Sequence, residues 1–365
     1  MMYSFEPTDE QRMLVDAIKR YAANDLRPAA READETGELP QDLIEKGWEL
    51  GLLQASIPED YGGFGEHSAV TSVLAAEEFG WGDLAGGLAV MAPGTYVLPI
   101  LLAGSDEQKK ELIPSVIEAE WKPYVAALIE PRFDFYPGEV STKAVGKGGG
   151  YMLNGTKAYV PFADKAQGFV VYAALDGKTQ AFIVPADAKG LTVGERELLM
   201  GIRALPMFTL TLKDVSVPAE ALLGGEGGHD LEPIIASSLV AISALAIGMS
   251  RAAYEYALEY AKEREAFDVP IAQKQSIAFM LAEMATDIEA IRLLVWEAAW
   301  KLDVGEEDAF KSAYLAFNAT SDMTMMVTDR AVQILGGHGY IREHPVEMWM
   351  RNGGGIPALS GLAMA

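Results

Sequence analysis

The sequence predicts an α+β protein of three consecutive domains. These are an all-α N-terminal domain, a middle antiparallel β-barrel or sandwich, and a C-terminal helical domain built as a four-helix bundle. Three observations predict it. Apolar residues recur at helical spacing up to about residue 122 and again after about residue 226. Between these stretches, short β-prone runs alternate with turn residues. The segment Ile234–Met249 is apolar nearly all round, and such a helix must be buried on every side, in a bundle or a subunit interface. The expected domains are 1–122, 123–225 and 226–365.

The first domain opens on a capping box at Thr8–Gln11, followed by Met13, Leu14, Ala17, Ile18 and Tyr21 at helical spacing. Pro28 and the segment Gly37–Pro40 punctuate the pattern. Helices are expected at Leu43–Leu53 and Ser68–Phe79, with a turn-rich loop between them at Pro58–Gly63. Ser105–Gln108 repeats the capping-box spacing. In the middle domain, β-prone runs fall at Tyr151–Asn154, Phe169–Ala173, Gln180–Val184 and Phe208–Leu212. Asn154-Gly155 and Asp176-Gly177 read as hairpin turns. Three long helices then follow at Ile234–Lys262, Ile277–Leu302 and Asp308–Leu335.

Composition narrows the function. The 365 residues include 29 Lys and Arg against 53 Asp and Glu, a formal charge of −24, which disfavours nucleic acid and anionic membranes as partners. There are no cysteines, so disulfides, thiolate zinc sites, iron–sulfur clusters and a cysteine nucleophile are excluded. That fits a cytoplasmic location. Met1–Gln11 lacks the basic-then-apolar pattern of a signal peptide, and the run Ile234–Met249 is shorter than a membrane span and carries three serines.

The four histidines, His67, His229, His338 and His344, show no zinc-protease spacing, and a metal site is not expected. No nucleophile elbow or phosphate loop is present. Gly146–Gly150 and Gly224–Gly228 read as a hairpin and a linker. The stretch Gln333–Tyr340 ends a long helix with glycines, and taken alone it reads equally as a C-cap or as a set of exposed backbone donors. Arg264, between two glutamates, reads alone as a solvated charge.

Taken together, the motifs resemble the acyl-CoA dehydrogenase family over the whole chain and in order. They are Pro58–Gly63, Glu130-Pro131, Leu153–Lys157, Met200–Arg203, Asp214–Pro218, Arg264 with Phe267, Gln275, Gln333–Gly339, and Pro345–Glu347 with Arg351. Asn352 stands where the family has an Asp. The resemblance implies an FAD enzyme that removes the α and β hydrogens of an acyl-CoA thioester, with an electron-transfer flavoprotein as electron acceptor. The cofactor does the redox chemistry. The protein supplies a carboxylate base, a dry slot and hydrogen bonds to the thioester carbonyl.

The departures from the family pattern carry equal weight. The two positions that hold the catalytic Glu in the family are Ser360 and Ser238 here, so no catalytic residue is assigned. Leu239 stands where many members have an Arg toward CoA. Flavin-contacting positions hold Ile129, Tyr159, Pro161 and Leu362, and the small-residue loop is replaced by Arg132–Tyr136. The residues that in the family reach a neighbouring subunit's FAD are retained: Arg264, Phe267, Gln275, Gln333, Gly336 and Gly337.

The leading expectation is therefore a non-catalytic subunit that lends the ADP side of an FAD site to a homologous catalytic partner. Self-association into a dimer or tetramer is the alternative assembly. One other reading is a self-sufficient dehydrogenase with an atypical base, Glu232 being the nearest acid. A second is a flavin oxidase or monooxygenase relative, or a flavin-free binding protein.

Overall fold

A computed structural model describes residues 7–117 and 120–365. The start of the stretch Met1–Gln11, on which the signal-peptide expectation rests, lies outside them.

The N-terminal domain contains α1 (Asp9–Tyr21), α2 (Arg27–Thr36), α3 (Gln41–Trp48), α4 (Leu52–Ala55), α5 (Ala69–Gly82), α6 (Leu84–Met91), α7 (Gly94–Ala103) and α8 (Asp106–Val116). Both capping boxes form, at Thr8–Gln11 and Ser105–Gln108. Pro28 does not break the chain. A π-helical turn at Ala22–Leu26 joins α1 to α2, and the proline sits in the first turn of α2, where its missing N–H costs no bond. The expected helix Leu43–Leu53 is split by Gly51, whose φ of 75° is left-handed. Two helices, α6 and α7, escape the periodicity reading because nearly every residue in them is apolar and buried.

The middle domain holds β1 (Tyr124–Ala127), β2 (Lys143–Lys147), β3 (Gly150–Pro161), β4 (Gly168–Leu175), β5 (Lys178–Pro185), β6 (Leu191–Arg196) and β7 (Met207–Pro218) in one sheet. The sheet is mixed, which corrects the all-antiparallel expectation. β1 runs parallel to β4, Tyr124 opposite Gly168, and β2 meets the far end of β4 in parallel at Lys143–Ala174. The physical cause is connectivity: β1 is separated from β4 by 40 intervening residues that include two strands, so no hairpin fixes its direction. Asp176-Gly177 is the β4–β5 hairpin turn. Asn154-Gly155 is not a turn. It lies inside β3 at a register shift, where the Asn154 amide bonds Asp214 twice, at 2.9 and 3.2 Å.

The C-terminal domain has three long helices, α9 (Glu232–Glu263), α10 (Gln275–Val304) and α11 (Ala309–Leu335), and a short fourth, α12 (Val346–Gly353). A two-stranded hairpin, β8 (Glu265–Ala266) with β9 (Val269–Pro270), joins α9 to α10. By length and composition α9 passes as a membrane span, yet 94% of its most apolar window is buried inside the fold. It crosses α5 at backbone contact: a Cβ on Gly80 would lie 2.0 Å from the Leu245 carbonyl, and one on Gly248 1.9 Å from that of Glu77. Two sequence motifs meet where α12 packs on the sheet domain. Arg351 donates to the Met200 carbonyl at 2.8 Å and clasps Asp34 with both terminal nitrogens, at 2.6 and 3.0 Å. The Asn352 side-chain Oδ1 accepts the Ile202 N–H at 2.6 Å, and Ile202 has a φ of 54°.

Candidate functional site

A cavity of about 570 Å³ opens between the sheet and the segment after α12. Ile129, Glu130, Pro131, Phe135 and Tyr159 line it from the sheet side, and Pro357, Ala358 and Ser360 from the other. The walls are largely apolar. Of the large residues that replace the small-residue loop, Arg132, Phe133 and Phe135 border the cavity, and Phe133 is fully exposed at its lip. Arg132 is turned to its own loop, donating to the Glu139 carbonyl.

Glu130 is the one carboxylate lining the cavity among the described residues, and it is fully engaged. It accepts from Lys157 Nζ at 2.9 Å and from the N–H groups of Ser141 and Thr142 at 2.6 and 2.7 Å. Lys157 has no exposed surface and also donates to the Leu128 carbonyl at 3.1 Å. Burial opposes ionisation of Glu130, but the Lys157 charge and the two N–H bonds outweigh it and carry the carboxyl down to about 2. Lys157 is pulled down to about 8 by burial, which the Glu130 charge only partly offsets. A carboxylate this acidic is a poor proton acceptor. The pair joins two of the quoted motifs, Glu130-Pro131 and Leu153–Lys157, and their pairing was not readable from spacing.

Of the two positions that hold the family's Glu, Ser360 lines the cavity and Ser238 is buried on α9 behind it. Ser360 Oγ is buried with no hydrogen-bond partner. Ser238 Oγ accepts the Gly361 N–H at 2.7 Å, so the two serine positions flank one another. Leu239, where many members have an Arg toward CoA, is buried. Glu232 is elsewhere: it lines a different cavity of about 640 Å³ with Thr179, His229 and Asp230.

The positions that would contact a flavin ring offer it little. The Ile129 carbonyl is used by the Ala158 N–H at 2.9 Å, Pro161 is a ladder residue of β3 opposite Met207, and Leu362 is in the core. Proline has no N–H to give. The ring-side residues present therefore do not fit an isoalloxazine.

The opposite end of the C-terminal domain behaves differently. Arg330 on α11 pairs with Glu283 on α10 at 2.5 Å, which sets these helices antiparallel with Gln333 and Gln275 at the same end. Tyr260, one turn before Arg264, contacts His338 Nδ1 at 2.7 Å. The six retained residues thus gather at one end of the bundle. Arg264, Phe267, Gln275, Gln333, Gly336 and Gly337 are all exposed. The Arg264 guanidinium has no ion-pair partner among the described residues. Phe267 and Asp268 form the tip of the β8–β9 hairpin with φ of 56° and 63°, uncommon for non-glycine residues. Lys274 Nζ stands 5.4 Å from the centre of the Phe267 ring. A Cβ on Gly336 or Gly337 would meet nothing within 4 Å. Unpaired planar donors, amides and open backbone fit a diphosphate and its flanking sugars.

Family models match three segments of the chain. They are the acyl-CoA dehydrogenase N-terminal domain over residues 8–120, the middle domain over 127–215 and the C-terminal domain over 235–361. A probable acyl-CoA dehydrogenase of Bacillus subtilis is 35% identical over 359 residues, covering 96% of this chain and 93% of that protein. The butyryl-CoA dehydrogenase structure from Megasphaera elsdenii has a TM-score of 0.89 at 31% identity, covering 99% of this chain and 96% of that one. The FAD complex of PigA has a TM-score of 0.88 at 26% identity, covering 98% and 95%.

Proposed function

The chain belongs to the acyl-CoA dehydrogenase family, and from that premise we propose that it is the non-catalytic subunit of a heteromeric dehydrogenase. In this reading it works with a homologous catalytic subunit in the α,β-dehydrogenation of an acyl-CoA thioester, in the cytoplasm, with electrons passing on to an electron-transfer flavoprotein. FAD, when bound, supplies the hydride acceptor for the β-carbon. The α-proton goes to a carboxylate of the partner subunit. This chain would hold the ADP end: Arg264 would offer its guanidinium donors to the pyrophosphate, Gln275 and Gln333 would supply amide contacts, and Gly336 and Gly337 would admit close approach.

The observation that carries the reading is the state of the only acid at the cavity among the described residues. Glu130 is bound by Lys157 and two backbone N–H groups, and both positions where a base is expected are serine. A hydroxyl without its own base does not remove an α-proton at neutral pH. The atypical-base reading needs Glu232, which lines another cavity.

The test is the visible flavin spectrum of the purified chain, alone and after co-expression with a homologue that keeps the glutamate. The chain alone is expected to be colourless and the complex yellow. Stoichiometric flavin in the chain alone would overturn the proposal and favour a self-sufficient enzyme.

A further inference from the structure

Gly361 has a φ of +92°, and from it the chain turns inward rather than toward solvent. Leu362, Ala363, Met364 and Ala365 are each 0–4% exposed. Their backbone is tied to α9. Ser238 Oγ accepts the Gly361 N–H at 2.7 Å. The Ser237 hydroxyl donates to the Ala365 carbonyl at 2.6 Å and accepts the Ala365 N–H at 3.1 Å. His67 Nε2 lies 3.2 Å from the same carbonyl. Met364 reaches between the N-terminal helices, beside Trp48, Leu53, Val90, Met91 and Leu98. The space left there is about 30 Å³, room for one or two waters.

These contacts trace a path. Ser360 borders the 570 Å³ cavity, and the residues after it run from that cavity along Ser238 and Ser237 of α9 to a pocket lined by Trp48 of α3, Leu52 and Leu53 of α4, Val90 and Met91 of α6 and Leu98 of α7. The path is largely apolar; its polar groups include His67, Ser56 and Ser72, and Ser237 and Ser238, whose hydroxyls pair with the segment's backbone. We propose that residues 361–365 fill, as a built-in plug, the apolar slot that an acyl chain would otherwise enter from the Ser360 cavity. Two side chains of this segment, Leu362 and Met364, take the place of the aliphatic chain. Two N–H groups and one carbonyl satisfy the serines that would otherwise be stranded in an apolar slot. Naming the displaced occupant as an acyl chain rests on the function proposed above. The filling of the slot rests on the contacts alone. It also gives Ser237 a role: where a carboxylate would repel the Ala365 carbonyl, a hydroxyl both accepts and donates, while Ser238 accepts the Gly361 N–H.

The test uses the whole 365-residue chain without flavin or partner. Amide hydrogen exchange is read at Gly361 and Ala365, and the fluorescent fatty acid parinarate is the probe for an open slot. In the native chain both amides are expected to be protected at least tenfold over unprotected rates, with no saturable parinarate binding. In the double variant Leu362→Asp with Met364→Asp, protection is lost and saturable binding appears. Ser237→Ala keeps the apolar contacts and removes one anchor, so exchange at Ala365 rises while Gly361 remains protected. Unprotected Gly361 and Ala365 in the native chain would overturn the plug, as would parinarate binding to the native chain as tight as to the double variant. If the double variant does not fold, the native-chain and Ser237→Ala measurements still decide. None of these readouts involves FAD, so a failed plug leaves the cofactor proposal standing and the reverse also holds.

Discussion

The cavity beside Ser360 and the bundle end around Arg264 treat their polar groups in opposite ways. At the cavity, Glu130 and Lys157 are buried and bound to each other, and Ser238 is bound to Gly361. At the bundle end, Arg264, Gln275 and Gln333 stand in solvent. Buried polar groups that satisfy one another hold a fold together but are not free to meet a ligand. Exposed donors add little to folding and remain available. The carboxylate at the cavity is thus committed to the fold, while the donors at the bundle end are free to meet a ligand.

The largest expected effect tests the first half of that comparison. Lys157→Met leaves Glu130 as an unpaired buried charge and should cost about 3–5 kcal/mol of stability. Arg264→Ala, on the exposed side, should change stability by less than about 0.5 kcal/mol. Urea unfolding of both variants measures the contrast. Equal effects would erase it.

The next effect is a pH dependence. Glu130 sits at about 2 in the folded chain, against about 4.3 for an unperturbed glutamate. As pH falls, the unfolded chain takes up the proton first. The stability Glu130 contributes is therefore complete above about pH 5 and is lost on descending through about 4.5 to 2. Thermal melts over this range should show a shallower acid loss for Glu130→Gln than for the native chain, although the variant starts lower. Identical slopes would mean that the pair is not coupled to folding.

These two effects depend on a contact that the sequence did not disclose. Glu130 and Lys157 each stood in a recognisable motif, but 27 residues separate them and only the sheet joins them. Local signals were legible where the physics is local: both capping boxes, the Asp176-Gly177 turn and the buried front of α9. Signals failed where tertiary contact overrides propensity. Asn154-Gly155 has turn chemistry, yet Asp214 across the ladder holds it in β3. α6 and α7 lack an amphipathic period because both their faces are buried. At the site, Ser360, Ser238 and Pro161 were visible as departures from the family's motifs. The inward course of residues 361–365 was not, because nothing in a short apolar stretch says which surface will cover it.

The smallest expected effect is none. Ser360→Glu restores a carboxylate to the cavity, but Ile129, Pro161 and the Arg132–Tyr136 loop remain, and the slot behind it is filled. Acyl-CoA-dependent dye reduction by this variant, with excess FAD, should stay at background. Turnover like that of an ordinary family member would show that the cavity is a working active site lacking only its base.

One measurement tests most directly whether the bundle end around Arg264 serves a partner's cofactor. Co-express the chain with its catalytic homologue, purify the complex with and without Arg264→Ala, and determine FAD per complex. Removing the guanidinium takes away two charge-assisted bonds to the pyrophosphate. The account predicts that the mutant complex assembles normally and loses at least tenfold in FAD affinity, although the partner's sequence is untouched. Full FAD content and unchanged affinity in the mutant complex would contradict it and leave Arg264 as a solvated charge at a helix end.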